Sequence, residues 1–301
     1  MLNPVTIDQL TCFIAAAEAR SFSGAGRRLG RAQSVISQAI AELEARLQVS
    51  LFSRAGRTPT LTPAGTLLLA DAYAVVAGLD ALKARAQGMA AGLEPELVVA
   101  MDVMFPMAIL TSTAAAFGQA FPATPLRLYV EALGGVSTAV RNGQCRLGVA
   151  AMLPMILPGL VTEPLTEINL IYTAAPFHPL ARYQGAVPAA ELARHVQLVL
   201  TDRTEVTAGR DFGVIAPRTW RLADLGAKHE FLRAGLGWGG MPESMIADDL
   251  AAGRLVRLAA TTRNPITMAA AYRPDAPPGP AGRWFIERLR AEAGGPVPAA
   301  R

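Results

Sequence analysis

The sequence predicts an α/β protein that carries a small all-α domain with a wing at its N-terminus. Three observations lead there. Residues 1–62 hold three short helical patterns, and residues 63–92 hold one long heptad pattern. From about residue 95 onward, strand and helix patterns alternate. At about 150 residues per domain, a chain of 301 residues makes two domains or one large one.

Each element has a local reason. Thr6 and Gln9 have capping-box spacing ahead of Leu10, Phe13, Ile14 and Ala17, so a first helix starts near Ile7. Ser23 suits the N-cap of a second helix that ends at Leu29, where Gly30 breaks it. A third helix runs from about Gln33 to Leu47 and buries Val35, Ile36, Ile40, Leu43 and Leu47. Leu51-Phe52 and residues 60–62 read as two short strands around the turn Arg54-Ala55-Gly56-Arg57. Pro63 suits the first turn of a long helix that Gly92 and Pro95 end. In it Leu68, Val75, Leu82 and Met89 recur every seven residues, with Ala72, Leu79 and Ala86 four residues after the first three. That is the seam of a dimerising helix, with packing on its own domain as the alternative. Beyond it, strands are expected at 97–101, 126–130, 147–151, 168–173, 196–200 and 266–272. Helices are expected at 107–121, 136–142, 224–234, 244–252 and 281–293, covering a mostly parallel sheet.

Composition narrows the function classes. With 51% hydrophobic and 17% charged residues, the chain is not a disordered or highly charged tail protein. The apolar stretch 97–110 is too short to cross a bilayer and contains Asp102, so no membrane span is expected. No basic segment precedes an apolar run at the N-terminus, and there are only two cysteines, Cys12 and Cys145. A cytoplasmic protein without a disulfide framework is therefore expected. The net charge is +4, and residues 1–62 carry seven arginines against four acidic residues, or +3 of it. That concentration points to a polyanionic partner.

The segment 25–40 says which one. A helix-turn-helix needs a small residue where its helices touch, a turn that tolerates glycine, and a branched apolar residue within the second helix. Gly26, Gly30 and Ile36 supply these in order. The outward face then offers Gln33, Ser34, Ser37 and Gln38, and glutamine can read adenine edges in a major groove.

Around this motif stand Phe13, Glu18, Ser21-Phe22, Ala25, Leu29, Leu43-Glu44, Leu47, Leu51-Phe52, Arg54, Leu61-Thr62 and Gly65. Together they closely resemble the N-terminal signature of LysR-type transcriptional regulators. Weaker echoes follow in order: Ala116-Phe117 with Phe121-Pro122, residues 147–150, residues 178–181, Gly235-Leu236-Gly237 before Met241-Pro242, and residues 253–256. The resemblance implies a winged helix-turn-helix over 1–62, a linker and dimerisation helix over 63–92, and a two-lobed periplasmic-binding-protein-like effector domain over 93–301. Lobe I would take about 93–163 and 268–301, and lobe II about 164–267. It further implies binding to double-stranded promoter DNA as a homodimer or homotetramer, contact with RNA polymerase, and a small-molecule effector in the cleft. Gly26 stands where the family usually has alanine, and Ala32 cannot cap the recognition helix through a side-chain oxygen.

Candidate DNA contacts are thus Gln33, Ser34, Ser37 and Gln38, with Arg31, Arg54 and Arg57 gripping backbone or minor groove. The dimerisation seam is Leu68, Val75, Leu79, Leu82 and Met89. Candidate effector contacts lie on loops at strand ends: Asp102, Val103, Met104 and Phe105; Gly135; Thr201, Asp202 and Arg203; and Gly237. Asp102 disfavours an anionic ligand, which favours an apolar or aromatic effector offering a hydroxyl or amine. The alternative for Asp102 is a cap on the helix at Met107.

Other features carry less. Gly235-x-Gly237-x-x-Gly240 matches a dinucleotide fingerprint but follows a helix pattern, so it reads as a tight helix-to-strand turn. His178, His195 and His229 lack metal-ligand spacing, and no cofactor or metal is expected. Cys145 lacks a nearby resolving cysteine and reads as core rather than as a redox sensor. An α/β enzyme or solute-binding protein is the competing class, but no nucleophile elbow, phosphate loop or paired-acid site supports it. In affinity titrations, Arg54→Ala should weaken binding to matched and scrambled operators alike, whereas Gln33→Ala should alter the preference between them.

Overall fold

A computed structural model describes residues 5–53, 58–153, 157–210, 212–260 and 265–294. The contacts divide the chain into two units, Met1–Gln87 and Gly88–Arg301.

In the first unit, α1 (Ile7–Ala19) opens with the predicted capping box, in which Thr6 and Gln9 satisfy each other's backbone N–H through their side chains. Arg20 turns left-handed (φ 48°) at the end of α1. The next residue, Ser21, is therefore the extended one and caps α2 (Phe22–Leu29), where Ser23 was expected to do so. Ala32 stands at the N-cap of α3 (Gln33–Leu47). A Cβ on Gly26 would lie 2.6 Å from the Arg31 carbonyl oxygen, which accounts for glycine at the closing point of the turn.

Ile36, Ile40 and Leu43 of α3 are buried in this unit's core, whereas Val35 is 46% exposed. Val35 was expected inside, but it points about 100° away from Ile36 around the helix, off the buried stripe. Two short strands, β1 (Phe52–Ser53) and β2 (Thr60–Leu61), pair antiparallel. Phe52 meets Phe13 and Phe22 edge-on at 5.7 and 5.4 Å, which fixes the wing to the helices.

The long helix α4 (Pro63–Ala90) follows, and its Leu68, Leu69 and Ala72 pack into the same core. By length and composition it could cross a membrane, with a mean hydropathy of 1.5 over its most apolar 18 residues. The sequence reading had weighed only 97–110 for that property. Here the hydropathy comes from the alanine- and leucine-rich seam, interrupted by Asp71, Asp80, Lys83 and Arg85.

The second unit contains β3 (Leu97–Asp102), α5 (Met107–Ala120), β4 (Leu126–Glu131), α6 (Gly134–Arg141), β5 (Leu147–Ala151) and β6 (Val161–Ile168). Next come β7 (Leu170–Ala174), α7 (Ala189–Arg194), β8 (Gln197–Leu200), β9 (Thr219–Leu222), α8 (Leu225–Arg233), β10 (Trp238–Pro242), α9 (Glu243–Ala251) and β11 (Val256–Arg257). β12 (Ile266–Tyr272) and α10 (Pro280–Glu292) complete it. They form two five-stranded sheets, ordered β4-β3-β5-β12-β6 and β11-β7-β10-β8-β9.

The sheets are mixed and not mostly parallel. β3 runs parallel to β4 and β5, and β8 runs parallel to β9 and β10, but β12 and β7 lie antiparallel to their neighbours. The reason is connectivity, since β12 returns from the second sheet and enters the first against the run of β5. The expected strand 168–173 is in fact two strands in different sheets, with Asn169 between them. The pattern also missed β9, β10, β11 and α7. β10 reads Trp-Gly-Gly-Met-Pro, which sequence rules assign to a turn.

Glu94 ties this unit together. Its buried carboxylate accepts from the backbone N–H groups of Ala281 and Gly282, both at 3.0 Å, in the first turn of α10. The cap thus comes from a residue 187 positions away. Glu94→Ala should lower unfolding stability by about 2 kcal/mol, because two buried donors lose a charged acceptor. Glu94→Gln should cost less, and both are read from denaturant midpoints.

Candidate nucleic-acid interface and ligand cleft

The first unit presents α3. Gln33, Ser34 and Gln38 are exposed along it and Ser37 is half-buried. Arg31 sits before the helix in an ion pair with Asp8 at 2.7 Å, with its guanidinium 3.8 Å from Cys12 Sγ. The hydrogen bond from Arg31 holds the Asp8 carboxyl below its ordinary range. Arg31 is therefore anchored to α1 as well as placed at the start of the recognition helix. Arg28 pairs with Glu18, whose other oxygen accepts from Tyr73 on α4 at 2.6 Å. Arg54 and Arg57 lie outside the described residues.

Along α4, Leu68 is drawn into the core of the first unit and Leu79 is half-buried. Val75, Leu82 and Met89 are 49%, 62% and 55% exposed. The first heptad therefore serves its own domain, and the later ones leave an apolar stripe uncovered.

In the second unit the candidate effector residues fall into separate places. A small, largely apolar cavity of about 50 Å³ is lined by Met104 and Leu133 from one side and by β8, Leu225 and Lys228 from the other. Leu153, Leu170 and Ile266 close it where the chain passes between the sheets. A second, polar cleft of about 480 Å³ contains Gly135, Asp202 and Arg203 together with Glu131, Thr204 and Asp224. The Asp202 carboxylate accepts from Thr204 at 2.8 Å and also from Thr207. Thr201 donates its backbone N–H to Leu222 and is half-buried, as is Val103.

Asp102, Met104 and Phe105 are all buried, and of this loop Met104 is the residue that lines the cavity. The Asp102 carboxylate accepts from the Met104 amide at 2.8 Å, shaping its own loop, while α5 is entered through Pro106. The alternative reading of Asp102 as a cap on the Met107 helix gives way to a turn two residues long, and Asp102 is not among the residues lining the cavity. Gly237 belongs to neither space. Its missing Cβ would lie 2.5 Å from the Val196 carbonyl, so it is a point of close approach between backbones.

Leu133 lies in the strand-end loop 132–137, one of the loops that the sequence marks for the cleft, whereas Gln197 and Lys228 escaped it. Leu133 adopts φ 45° at the entrance to α6, a conformation that leucine rarely takes. Gln197 is buried: it donates one N–H to Gly213 O at 2.7 Å, and its oxygen accepts from the Ile215 and Ala216 amides. Buried Lys228 donates to Gly240 O at 2.7 Å. The available signals were a polar residue inside Val-Gln-Leu-Val-Leu and a lysine in a chain that holds only two.

Geometrically, this is a helix-turn-helix DNA reader in the same chain as a two-lobed, cavity-bearing domain, the build of a ligand-responsive DNA-binding protein. Two family models match it: the LysR substrate binding domain over residues 90–294 and the bacterial regulatory helix-turn-helix protein, lysR family, over residues 7–66. The chain belongs to the LysR family and is a LysR-type transcriptional regulator.

A probable hydrogen peroxide-inducible genes activator of Mycobacterium avium is 30% identical over 257 residues, covering 83% of this chain and 82% of its own sequence. The transcriptional activator AllS of Klebsiella pneumoniae is 28% identical, covering 85% of this chain and 95% of its own. Among solved structures, a mutant of Corynebacterium glutamicum OxyR aligns over 96% of this chain and 93% of that one, with TM-score 0.55 and 22% identity. ArgP of Mycobacterium tuberculosis aligns over 95% and 97%, with TM-score 0.53 and 22% identity. These two share the fold.

Burial pushes the Asp102 carboxyl up to about 7, against the pull of the Met104 and Ala151 amides. The folded protein then holds a proton that the unfolded chain releases near its ordinary value of 3.8, so Asp102 makes stability fall as pH rises from about 4 to 7. His178 works the other way: burial lowers it from 6.5 to about 4, so its share of stability rises with pH over that interval. The difference between Asp102→Asn and the native protein isolates Asp102. The variant should gain relative stability, on the order of a few kcal/mol at most, between pH 4 and 7 and then level off, as followed by urea unfolding.

Proposed function

We propose that this regulator binds promoter DNA as a homodimer or homotetramer, and that an apolar or aromatic small molecule in the Met104–Leu133 cavity switches its activity. The cavity itself carries the reading. Its walls are predominantly leucine, methionine and isoleucine, and the amide of Gln197 is already engaged by backbone groups. A ligand there gains mainly by removing apolar surface from water. The place also matters, because the walls come from both sheets and from the segments that connect them. A ligand that fits one relative placement of the sheets better than another shifts their equilibrium.

On the DNA side, Gln33, Ser34, Ser37 and Gln38 meet bases or phosphates, while Arg31, Arg54 and Arg57 hold the backbone. The exposed stripe of Val75, Leu82 and Met89 on α4 supports pairing with a second copy. Contact with RNA polymerase and a cytoplasmic location follow from a role at promoters. No catalytic activity is proposed, and the family is one of transcriptional regulators.

Peroxide is the competing input, since the Mycobacterium avium relative is described as peroxide-inducible in its target genes. Against it, Cys12 and Cys145 are both buried, and burial pushes the Cys145 thiol up to about 11, far from a reactive thiolate. In thermal-shift screening of the full chain, small aromatic and aliphatic compounds should raise the melting temperature. Leu200→Trp, which fills the cavity, should abolish that shift. Stabilisation by simple dicarboxylates alone would overturn the apolar reading, and peroxide-dependent DNA binding lost in Cys145→Ser would favour the competing one.

A further inference from the structure

We infer that Glu42 is a positioning residue for DNA sequence readout, fixing which end of the Gln38 amide faces the bases. This rests on the reading of α3 as the base-contacting helix. Gln38 Nε2 donates to Glu42 Oε1 at 3.1 Å, and the other oxygen of Glu42 accepts from Gln9 Nε2 at 3.1 Å. Gln9 is 4% exposed, and its own Oε1 accepts from the Thr6 backbone amide at 3.1 Å and from Arg46 at 3.4 Å. A chain of hydrogen bonds thus runs from the cap of α1 to the outer face of α3.

The chemistry gives this chain one direction. A glutamine amide can face a neighbour with either its oxygen or its nitrogen, but an ionised carboxylate only accepts. Both glutamines must therefore turn their NH₂ groups toward Glu42. For Gln9 the opposite end then meets two donors, Thr6 N–H and Arg46, so no member of the chain can flip without leaving a donor unmet. For Gln38 the consequence is that Oε1 and one remaining N–H point away from Glu42. That pair matches the N6 amino group and N7 of adenine, and it mismatches guanine, whose O6 and N7 both accept. Without Glu42 the Gln38 amide could turn over and offer both N–H groups to guanine. A carboxylate this close to a polyanion costs binding energy on every sequence, and the structure assigns it a compensating role in selectivity.

The test uses the full chain and a randomised duplex pool. Sites enriched by the native protein are resynthesised with single-base changes, and affinities are measured for the native protein, Gln38→Ala, the near-isosteric Glu42→Gln and the double variant. The expected result is one adenine position at which Gln38→Ala and Glu42→Gln each reduce discrimination on the order of tenfold. The double variant should do no worse than Gln38→Ala alone, and Glu42→Gln should gain affinity for guanine at that position. If Glu42→Gln strengthens binding equally on all sequences and leaves discrimination intact, Glu42 acts only through its charge and the inference is overturned. If discrimination survives Glu42→Gln while the melting temperature falls, Glu42 is structural and the inference is likewise overturned. If Gln38→Ala leaves discrimination intact, the contact reading of α3 fails and the inference fails with it. Loss of discrimination at the same adenine in both Gln38→Ala and Glu42→Gln, with no further loss in the double variant, supports it.

Discussion

A single residue, Asn169, separates β6 of one five-stranded sheet from β7 of the other. The chain passes back only once more, between β11 and β12. Two closely spaced crossings constrain everything else in this unit. They force β12 to enter antiparallel beside β5, and they bring Leu153, Leu170 and Ile266 together at the seam of the sheets. They also set the cavity between two bodies joined by short connections, a geometry in which a small change at the seam becomes a larger displacement at the rims. The glutamic acid cap on α10 reinforces this, since it binds the start of the unit to its end.

The N-terminal unit follows a different economy of charge. Sequence counting gives residues 1–62 an excess of three positive charges, which already includes Asp8 and Glu18, the carboxylates that Arg31 and Arg28 meet in the folded chain. The excess therefore rests on the other arginines, while the exposed side chains Gln33, Ser34 and Gln38 of α3 are neutral and hydrogen-bonding. Electrostatic attraction is sequence-blind, whereas amide and hydroxyl groups discriminate.

Much of this was legible in the sequence because the signals were local. The Thr6–Gln9 cap, the bounds of α3, the Pro63 start of α4 and the helix-to-strand turn at Gly235 all depend on residues within a few positions of each other. What escaped was set over distance. Ser21 displaced Ser23 because Arg20 closes α1 in the left-handed conformation, and the strand at 168–173 broke because two sheets needed it. Gly237 was assigned to ligand but serves strand packing, for a reason visible only when Val196 lies beside it. Of the cleft, the loop at Met104 was found from its place at a strand end. The loop of Leu133 was found in the same way, but Gln197 and Lys228 were not, since burial against partners far along the chain leaves little periodic trace.

The two halves of α4 have different accounts of their own stability. Up to Ala72 the helix is held by the core it helps to build. From Val75 to Met89 its apolar residues are largely solvated within a single chain, leaving intrinsic propensity as the main local support for that stretch. With a second copy as its cover, the order of this segment becomes subject to mass action. Dilution, and not only heat or mutation, then becomes a variable that sets how stiffly the DNA reader is connected to its sensor.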